Sequence, residues 1–215
     1  LRLLDLGCGN GRLLEFLQVH LQKDFAYLGL DSSRDLLAIA KQKYVGHQFD
    51  YFDLIKKYLD DGKILLPTAE KFDLIALFGF SHHLPSFALR LQLLSDLRHS
   101  LQEGGLLIIS NWQFGIDKER FTKNILTWKK IWQNKQINWR RKVKLTNLLL
   151  HLEENDYLLD WRQGKQADQA FRYCHFLAAE EMMKLAEASG WQIVTSFLAD
   201  GKSGRLNEYF VLQAL

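Results

Sequence analysis

A chain of 215 residues with 47% apolar side chains is one domain with an elaboration and has ample material for a core. It carries no run of 18 apolar residues and no signal-like segment, so a helical membrane span is not expected and a cytoplasmic protein is. Two cysteines, Cys8 and Cys174, exclude a disulfide scaffold and a cysteine zinc cluster, no metal site is expected, and the net charge of +3 is modest.

In chain order, Leu1 to Leu6 read as a buried parallel strand running into a turn with glycines at 7, 9 and 11. The dinucleotide fingerprint needs its third glycine where this chain has Arg12, which argues against NAD or FAD. Opening on a core strand also predicts a covering segment before Leu1. Residues 12–22 form a helix with Leu13, Leu14, Leu17 and Leu21 on one face. Phe25–Leu30 is a second strand ending at Asp31, and Ser32 or Ser33 caps a helix that turns Leu36, Leu37 and Ala40 to the sheet. Phe49–Phe52 is a third strand, followed by a polar, poorly periodic stretch to Pro67. Phe72–Phe78 is the fourth strand. A helix then runs from Pro85 through Leu97 to a stop at Gly104-Gly105, and Leu106–Ser110 is the fifth strand.

Residues 112–175 interrupt the alternation and read as a mainly helical insertion. Between 115 and 150, ten Lys or Arg face only Asp117 and Glu119, a local charge of +8 that leaves −5 for the other residues. Trp128, Trp132 and Trp139 are interleaved with these cations. Two readings stand: an RNA-facing surface that neutralises phosphates and stacks bases, or a solvated helix with its tryptophans turned inward. The pattern resumes with a capped helix, Ala178–Ser189, stopped by Gly190. Trp191–Leu198 and Glu208–Leu212 are the sixth and seventh strands, joined through Gly201 and Gly204. Periodicity alone gives an open, doubly wound α/β sheet.

The run Asp5-Leu6-Gly7-Cys8-Gly9-Asn10-Gly11 resembles motif I of the class I S-adenosylmethionine-dependent methyltransferases. The resemblance implies one methyltransferase domain over residues 1–215, built on a seven-stranded, mostly parallel Rossmann-like sheet with an antiparallel last strand. Residues 112–175 would lie on its substrate side. In that arrangement Asp5 and the turn residues Gly7, Cys8, Gly9 and Gly11 hold the amino-acid end of S-adenosylmethionine. Asp31, with Ser32 beside it, accepts from the ribose hydroxyls. Asp53 and Leu54 meet the adenine, with Asp50 as the alternative acid, and Phe78 lines the pocket around the sulfonium. In Phe78-Gly79-Phe80-Ser81-His82-His83-Leu84 the two histidines point apart and suit no shared metal. His82 either orients or deprotonates the acceptor or shapes the floor of the site.

Within the insertion, Asp156-Tyr157-Leu158-Leu159-Asp160-Trp161 and Arg172-Tyr173-Cys174-His175-Phe176 resemble a pair of motifs in the tRNA methyltransferases that esterify a carboxymethyl group on the wobble uridine. That family typically reads Asp, apolar residues, Pro-Trp, and later Arg-Tyr-Tyr-His-apolar-Phe. Here Asp160 replaces the proline, Cys174 replaces the second tyrosine, and the apolar residue between His and Phe is absent. Trp112 also matches the family's aromatic residue after strand five. The resemblance implies Arg172 and His175 facing the target carboxylate and Trp161 or Tyr173 stacked on the uracil. It further implies tRNA held through 115–150. Some members of that family work with a small zinc-binding activator protein, whose mark here would be an exposed apolar edge strand. The competing readings are that Tyr173, His175 and Phe176 only dock the insertion, or that the insertion is a lid over a small metabolite.

Overall fold

A strand in the middle of a sheet needs apolar cover on both faces, and β1 (Arg2–Leu6) provides it by alternation. Leu4 and Leu6 enter one core cluster and Leu3 enters the other. The computed structural model describes residues 1–114, 122, 124–135, 137–161 and 170–215, without the side chains of Trp161 and Ala170. β1 pairs in parallel with β2 (Ala26–Asp31) and β4 (Phe72–Phe78). Outside these, β3 (Gln48–Tyr51) joins β2 and β5 (Leu101–Trp112) joins β4, again in parallel. β9 (Asn207–Ala214) runs antiparallel between β5 and β8 (Trp191–Ala199), giving the order β3-β2-β1-β4-β5-β9-β8. This is the expected seven-stranded sheet with an antiparallel last strand.

Helices cover the two faces separately. On one, α1 (Arg12–His20) and α2 (Arg34–Lys43) place Leu14, Leu37, Ala40 and Tyr44 against Leu3, Tyr27 and Phe49. Ser33 rather than Ser32 caps α2. On the other face lie α3 (Leu54–Asp61), α4 (Phe87–Arg98) and, late in the chain, α7 (Ala179–Ala188). Leu89, Leu93, Leu97, Met182 and Leu185 pack there on Leu4, Ile75, Leu107 and Phe210.

Several boundaries differ from the sequence reading. The stretch expected to be irregular contains α3, started by Asp53, whose carboxylate accepts the Lys56 N–H at 2.9 Å, and ended by Gly62 in the left-handed region. Gly104-Gly105 do not stop α4, which ends at Arg98. They lie inside β5, where the register with β4 jumps from Phe72↔Leu101 to Leu74↔Leu106. A Cβ at Gly105 would meet three backbone oxygens at 3.0–3.2 Å, so glycine is needed for that close approach. α7 follows Ala178 with no side-chain cap, against the capped start expected there.

Among its described residues the insertion holds strand as well as the expected helix. Besides α5 (Trp128–Gln133) and α6 (Trp139–Leu150) it contains an antiparallel ribbon of β6 (Asp156–Trp161) and β7 (Ala170–His175). Adjacent residues of a strand face opposite ways, so Leu158 and Leu159 serve two layers. Leu158 packs with Leu126, Ile131, Ile137 and Leu145 under the helices, and Leu159 packs with Phe114 and Cys174 toward the main sheet. Among the described residues no helix is long and apolar enough to cross a membrane.

Candidate functional site

The carboxyl ends of β1, β2 and β4 meet at the glycine turn. Gly7 and Cys8 both donate their N–H to the Leu30 carbonyl, at 2.7 and 3.1 Å, which folds the turn back over β2. Gly7 and Gly11 have φ of +85° and +82°, and a Cβ would stand 2.9 Å from the Phe80 ring at the first and 2.7 Å from the Tyr44 ring at the second. Conformation and space both require glycine there. Asp31 fastens the turn from the next strand: one carboxylate oxygen accepts the Gly9 N–H at 2.8 Å, the other the Ser33 N–H at 2.7 Å. Each oxygen keeps a second lone pair for a further donor.

Two openings flank Gly7. The narrower crevice is lined by Asp31 and Ser32 on one side and by Phe52, Asp53, Leu54 and Phe80 on the other. Of the two acids weighed for an adenine contact, Asp53 borders this crevice. Asp50 sits in β3 opposite Leu30 and accepts from the Gln48 side chain. The larger cleft, about 640 Å³, takes in Asp5, Gly7, Cys8, Arg12, Phe78 and Gly79, with Ser110 at the end of β5 and Asp200, Asn207 and Tyr209 from the far end of the sheet. Asp5 is 3% exposed and accepts the Tyr27 hydroxyl at 2.6 Å. Burial pushes its carboxyl up to about 6, opposed by the Tyr27 hydrogen bond and reinforced by the neighbouring Asp31 charge. Burial likewise pushes the Cys8 thiol up, which leaves it a packing group rather than a nucleophile.

These residues fit S-adenosylmethionine. The glycine cradle excludes side chains, Asp5 and Asp31 offer carboxylates to an ammonium and to hydroxyls, and Phe52, Leu54 and Phe80 provide an apolar slot.

The histidines divide. His82 lies in a 3₁₀ turn, Ser81–His83, is 4% exposed, and its Nδ1 has no partner among the described residues. Burial, with His83, Arg172 and His175 adding to it, pushes its pKa down to about 3, so the ring is neutral. His83 has its Nδ1 2.9 Å from the Tyr173 carbonyl, which only a protonated Nδ1 can satisfy, and so pins β7 to the turn.

His175 is not at a rim. It is 2% exposed, with Nδ1 2.7 Å from Asp156 and Nε2 2.8 Å from Glu181. Glu181 in turn accepts from the buried Arg90, which also donates to the Leu84 carbonyl. Burial pushes the Glu181 carboxyl up, but His175 and Arg90 together bring it below its ordinary value. The Tyr173 hydroxyl donates to Asp156 at the other end of this chain. Both His175 and Tyr173, expected to face an acceptor, therefore dock the ribbon onto α4 and α7. The reason is that both ring nitrogens and the phenol are already engaged. Arg172 is exposed on β7. The expected stacking by Trp161 lies outside the described side chains, as do the expected cations at 118, 120 and 123.

Sequence reasoning missed the wall formed by Asp200, Asn207 and Tyr209, because a loop with two glycines reads as a plain turn.

Comparison with known proteins agrees with this geometry. Residues 4–107 match the model of a family described as a methyltransferase domain. A carboxy-S-adenosyl-L-methionine synthase of Trichodesmium erythraeum is 28% identical over 170 residues, covering 76% of this chain. The chain spans 64% of that relative's length over the match. Among solved structures, a methyltransferase of Clostridium acetobutylicum has a TM-score of 0.64 at 14% identity, covering 99% of this chain and 83% of its own. One from Methanosarcina mazei has a TM-score of 0.64 at 16% identity, covering 100% and 92%. An amino pentose methyltransferase of Micromonospora echinaspora, with S-adenosylmethionine bound, has a TM-score of 0.59 at 17% identity, covering 100% and 83%.

Proposed function

We propose that this chain carries a class I S-adenosylmethionine-dependent methyltransferase domain and that the whole protein methylates RNA, with transfer RNA as its macromolecular substrate. When bound, the cofactor supplies a sulfonium methyl that is already activated, so the protein's work is to hold, align and keep water out. Asp5 and the Gly7–Gly11 turn take its amino-acid end, Asp31 and Ser32 its ribose, Asp53 and Leu54 its adenine, and Phe78 the flank of the sulfonium. Neutral, buried His82 shapes the floor beneath.

The observation that supports RNA is the surface of α5 and α6. Residues 124–150 contain seven Lys or Arg and no acid. Trp128 and Trp139 are 54% and 66% exposed, with Trp132 between them at ring distances of 5.9 and 5.3 Å. The bland alternative had these indoles turned inward, yet two of the three face solvent. Cations that neutralise phosphate beside exposed flat rings are what an unstacked strand needs. A small-metabolite lid has no use for that surface. The wobble-uridine carboxylate has less support as the acceptor, since His175 and Tyr173 are committed to the ribbon. Exposed Val194 and Leu198 on the edge strand β8 support docking of a small activator protein there.

The test is binding of total tRNA at increasing salt, followed by the double variant Trp128→Ala/Trp139→Ala. Affinity should fall steeply with salt, and the variant should bind about 10- to 100-fold more weakly. Binding that ignores salt and both tryptophans would remove the RNA assignment and leave the lid reading.

A further inference from the structure

The larger cleft has a wall that no motif announces. After β8 the chain turns at Asp200, whose φ of +67° puts a non-glycine residue in the left-handed region. Aspartate tolerates that region better than most residues, and such strain concentrates at ligand sites. Three bonds hold it there. The Leu206 N–H donates to the Asp200 carbonyl at 3.2 Å, and Asn207 Nδ2 and the Tyr209 hydroxyl both donate to Asp200 Oδ2, at 2.7 and 2.5 Å.

The other carboxylate oxygen, Oδ1, makes no hydrogen bond among the described residues, and Asp200 is exposed. Its orientation is nevertheless fixed, because Tyr209 is itself clamped. The tyrosine ring meets Phe78 edge-on at 5.6 Å and stacks on Phe197 at 5.2 Å. Burial, then the hydrogen bond to Asp200 and its charge, push its hydroxyl up to about 12, so it stays a donor to the carboxylate.

Asp200, Asn207 and Tyr209 border the same cleft as Asp5 and Gly79, and Gly7 borders both this cleft and the narrower crevice. A cofactor with its adenosine in the crevice crosses Gly7, and its sulfonium end then shares the larger cleft with the acceptor. At about 640 Å³ that cleft is within the size range of pockets that hold small ligands.

We propose that Asp200, held by Tyr209 and Asn207, is the acceptor-binding wall of this site, and that it receives a nitrogen base presenting an N–H rather than a carboxylate. The inference rests on the methyltransferase reading above and names its substrate class. A fixed carboxylate oxygen with unused lone pairs forms a charge-assisted bond to an N–H. An acceptor carboxylate would instead meet the like charge of Asp200, with Arg12 as the one cation among the described lining residues. Phe78 and Tyr209 add flat apolar surface suited to an aromatic base.

The experiment supplies radiolabelled-methyl cofactor with total tRNA and, separately, with a small-metabolite extract, and exposes any labelled product to mild alkali. A methyl on nitrogen survives, whereas a methyl ester is released as methanol. Asp200→Asn and Tyr209→Phe are run beside the native protein, with affinity for S-adenosylhomocysteine as the control on folding and on the cofactor half. Asparagine tolerates the left-handed backbone, so the first variant keeps the turn. The expected result is alkali-stable label and a fall in kcat/KM of about 10- to 100-fold in Asp200→Asn at unchanged S-adenosylhomocysteine affinity. Tyr209→Phe should give a smaller fall. Label confined to metabolites defeats the RNA reading but leaves Asp200 to be judged by the same alkali step. Alkali-labile label, or an unchanged kcat/KM in both variants, overturns the proposal, and no label in either fraction overturns both.

Discussion

At the glycine turn the buried acid Asp5 is met by a tyrosine hydroxyl and stands near a second acid, Asp31, whereas beneath the ribbon Arg90, Glu181, His175 and Asp156 form one bonded chain of alternating groups. Both sets are buried and polar, yet their chemistry is opposite. The first is short of positive charge, which on the proposed reading a cofactor's ammonium would supply. The second is bonded from group to group within the chain and is therefore construction. A buried carboxylate without a cation marks a place for a ligand, and one bonded to a guanidinium or imidazole marks a joint.

The largest test of that contrast is at the joint. Arg90→Met leaves Glu181 without its guanidinium and should cost about 3–5 kcal/mol, read from denaturant midpoints. Amide exchange should then rise first in β6 and β7. Equal loss of protection in β1 and β4 would show that the ribbon and the core are not distinct units.

Next comes the cradle. Gly11→Ala combines an unfavourable φ with a contact of 2.7 Å to Tyr44, and should cost about 3 kcal/mol together with affinity for S-adenosylhomocysteine. Gly46→Ala is the control, with a φ of +91° but nothing within 4 Å of the added carbon, and about 1 kcal/mol is expected. Similar losses at both positions would mean that backbone conformation alone, not packing against α2, demands the glycine.

The smallest effect is a gain. Asp5 titrates at 3.8 unfolded and at about 6 in the fold, a raised value, so its contribution favours the fold below about pH 4 and is lost as pH rises through 6. Asp5→Asn should accordingly be more stable than the native protein by about 2–3 kcal/mol at neutral pH and equal to it near pH 3.5. It should also bind S-adenosylhomocysteine less tightly at neutral pH. Thermal melts across that range check the first expectation and calorimetry the second. A variant less stable at neutral pH would place Asp5 among the structural groups.

Much of this was legible in the residues themselves. The strand-to-glycine-turn sequence at 1–11, Asp31 at a strand tip and the uninterrupted apolar run 72–78 are local signals, and local signals locate the cofactor half. α3 was missed although its cap Asp53 and its stop Gly62 are both visible, because its eight residues give Leu54, Ile55, Tyr58 and Leu59 only two turns in which to show a period. The ribbon was missed because its strands pair across the intervening segment. His175 stayed open between facing an acceptor and docking the insertion for a similar reason: its partners lie 19 and 6 residues away, and Arg90 reaches Glu181 across 91. Those distances in sequence carry no pattern, so a motif containing Arg-Tyr-Cys-His looks the same whether it faces a substrate or a salt bridge.

The 3₁₀ turn at Ser81–His83 joins two parts of the molecule. On one side it follows Gly79 at the edge of the cofactor cleft, and on the other His83 grips the backbone of β7. A displacement of β7 is therefore passed, through the His83–Tyr173 bond, to the very turn that borders the cleft.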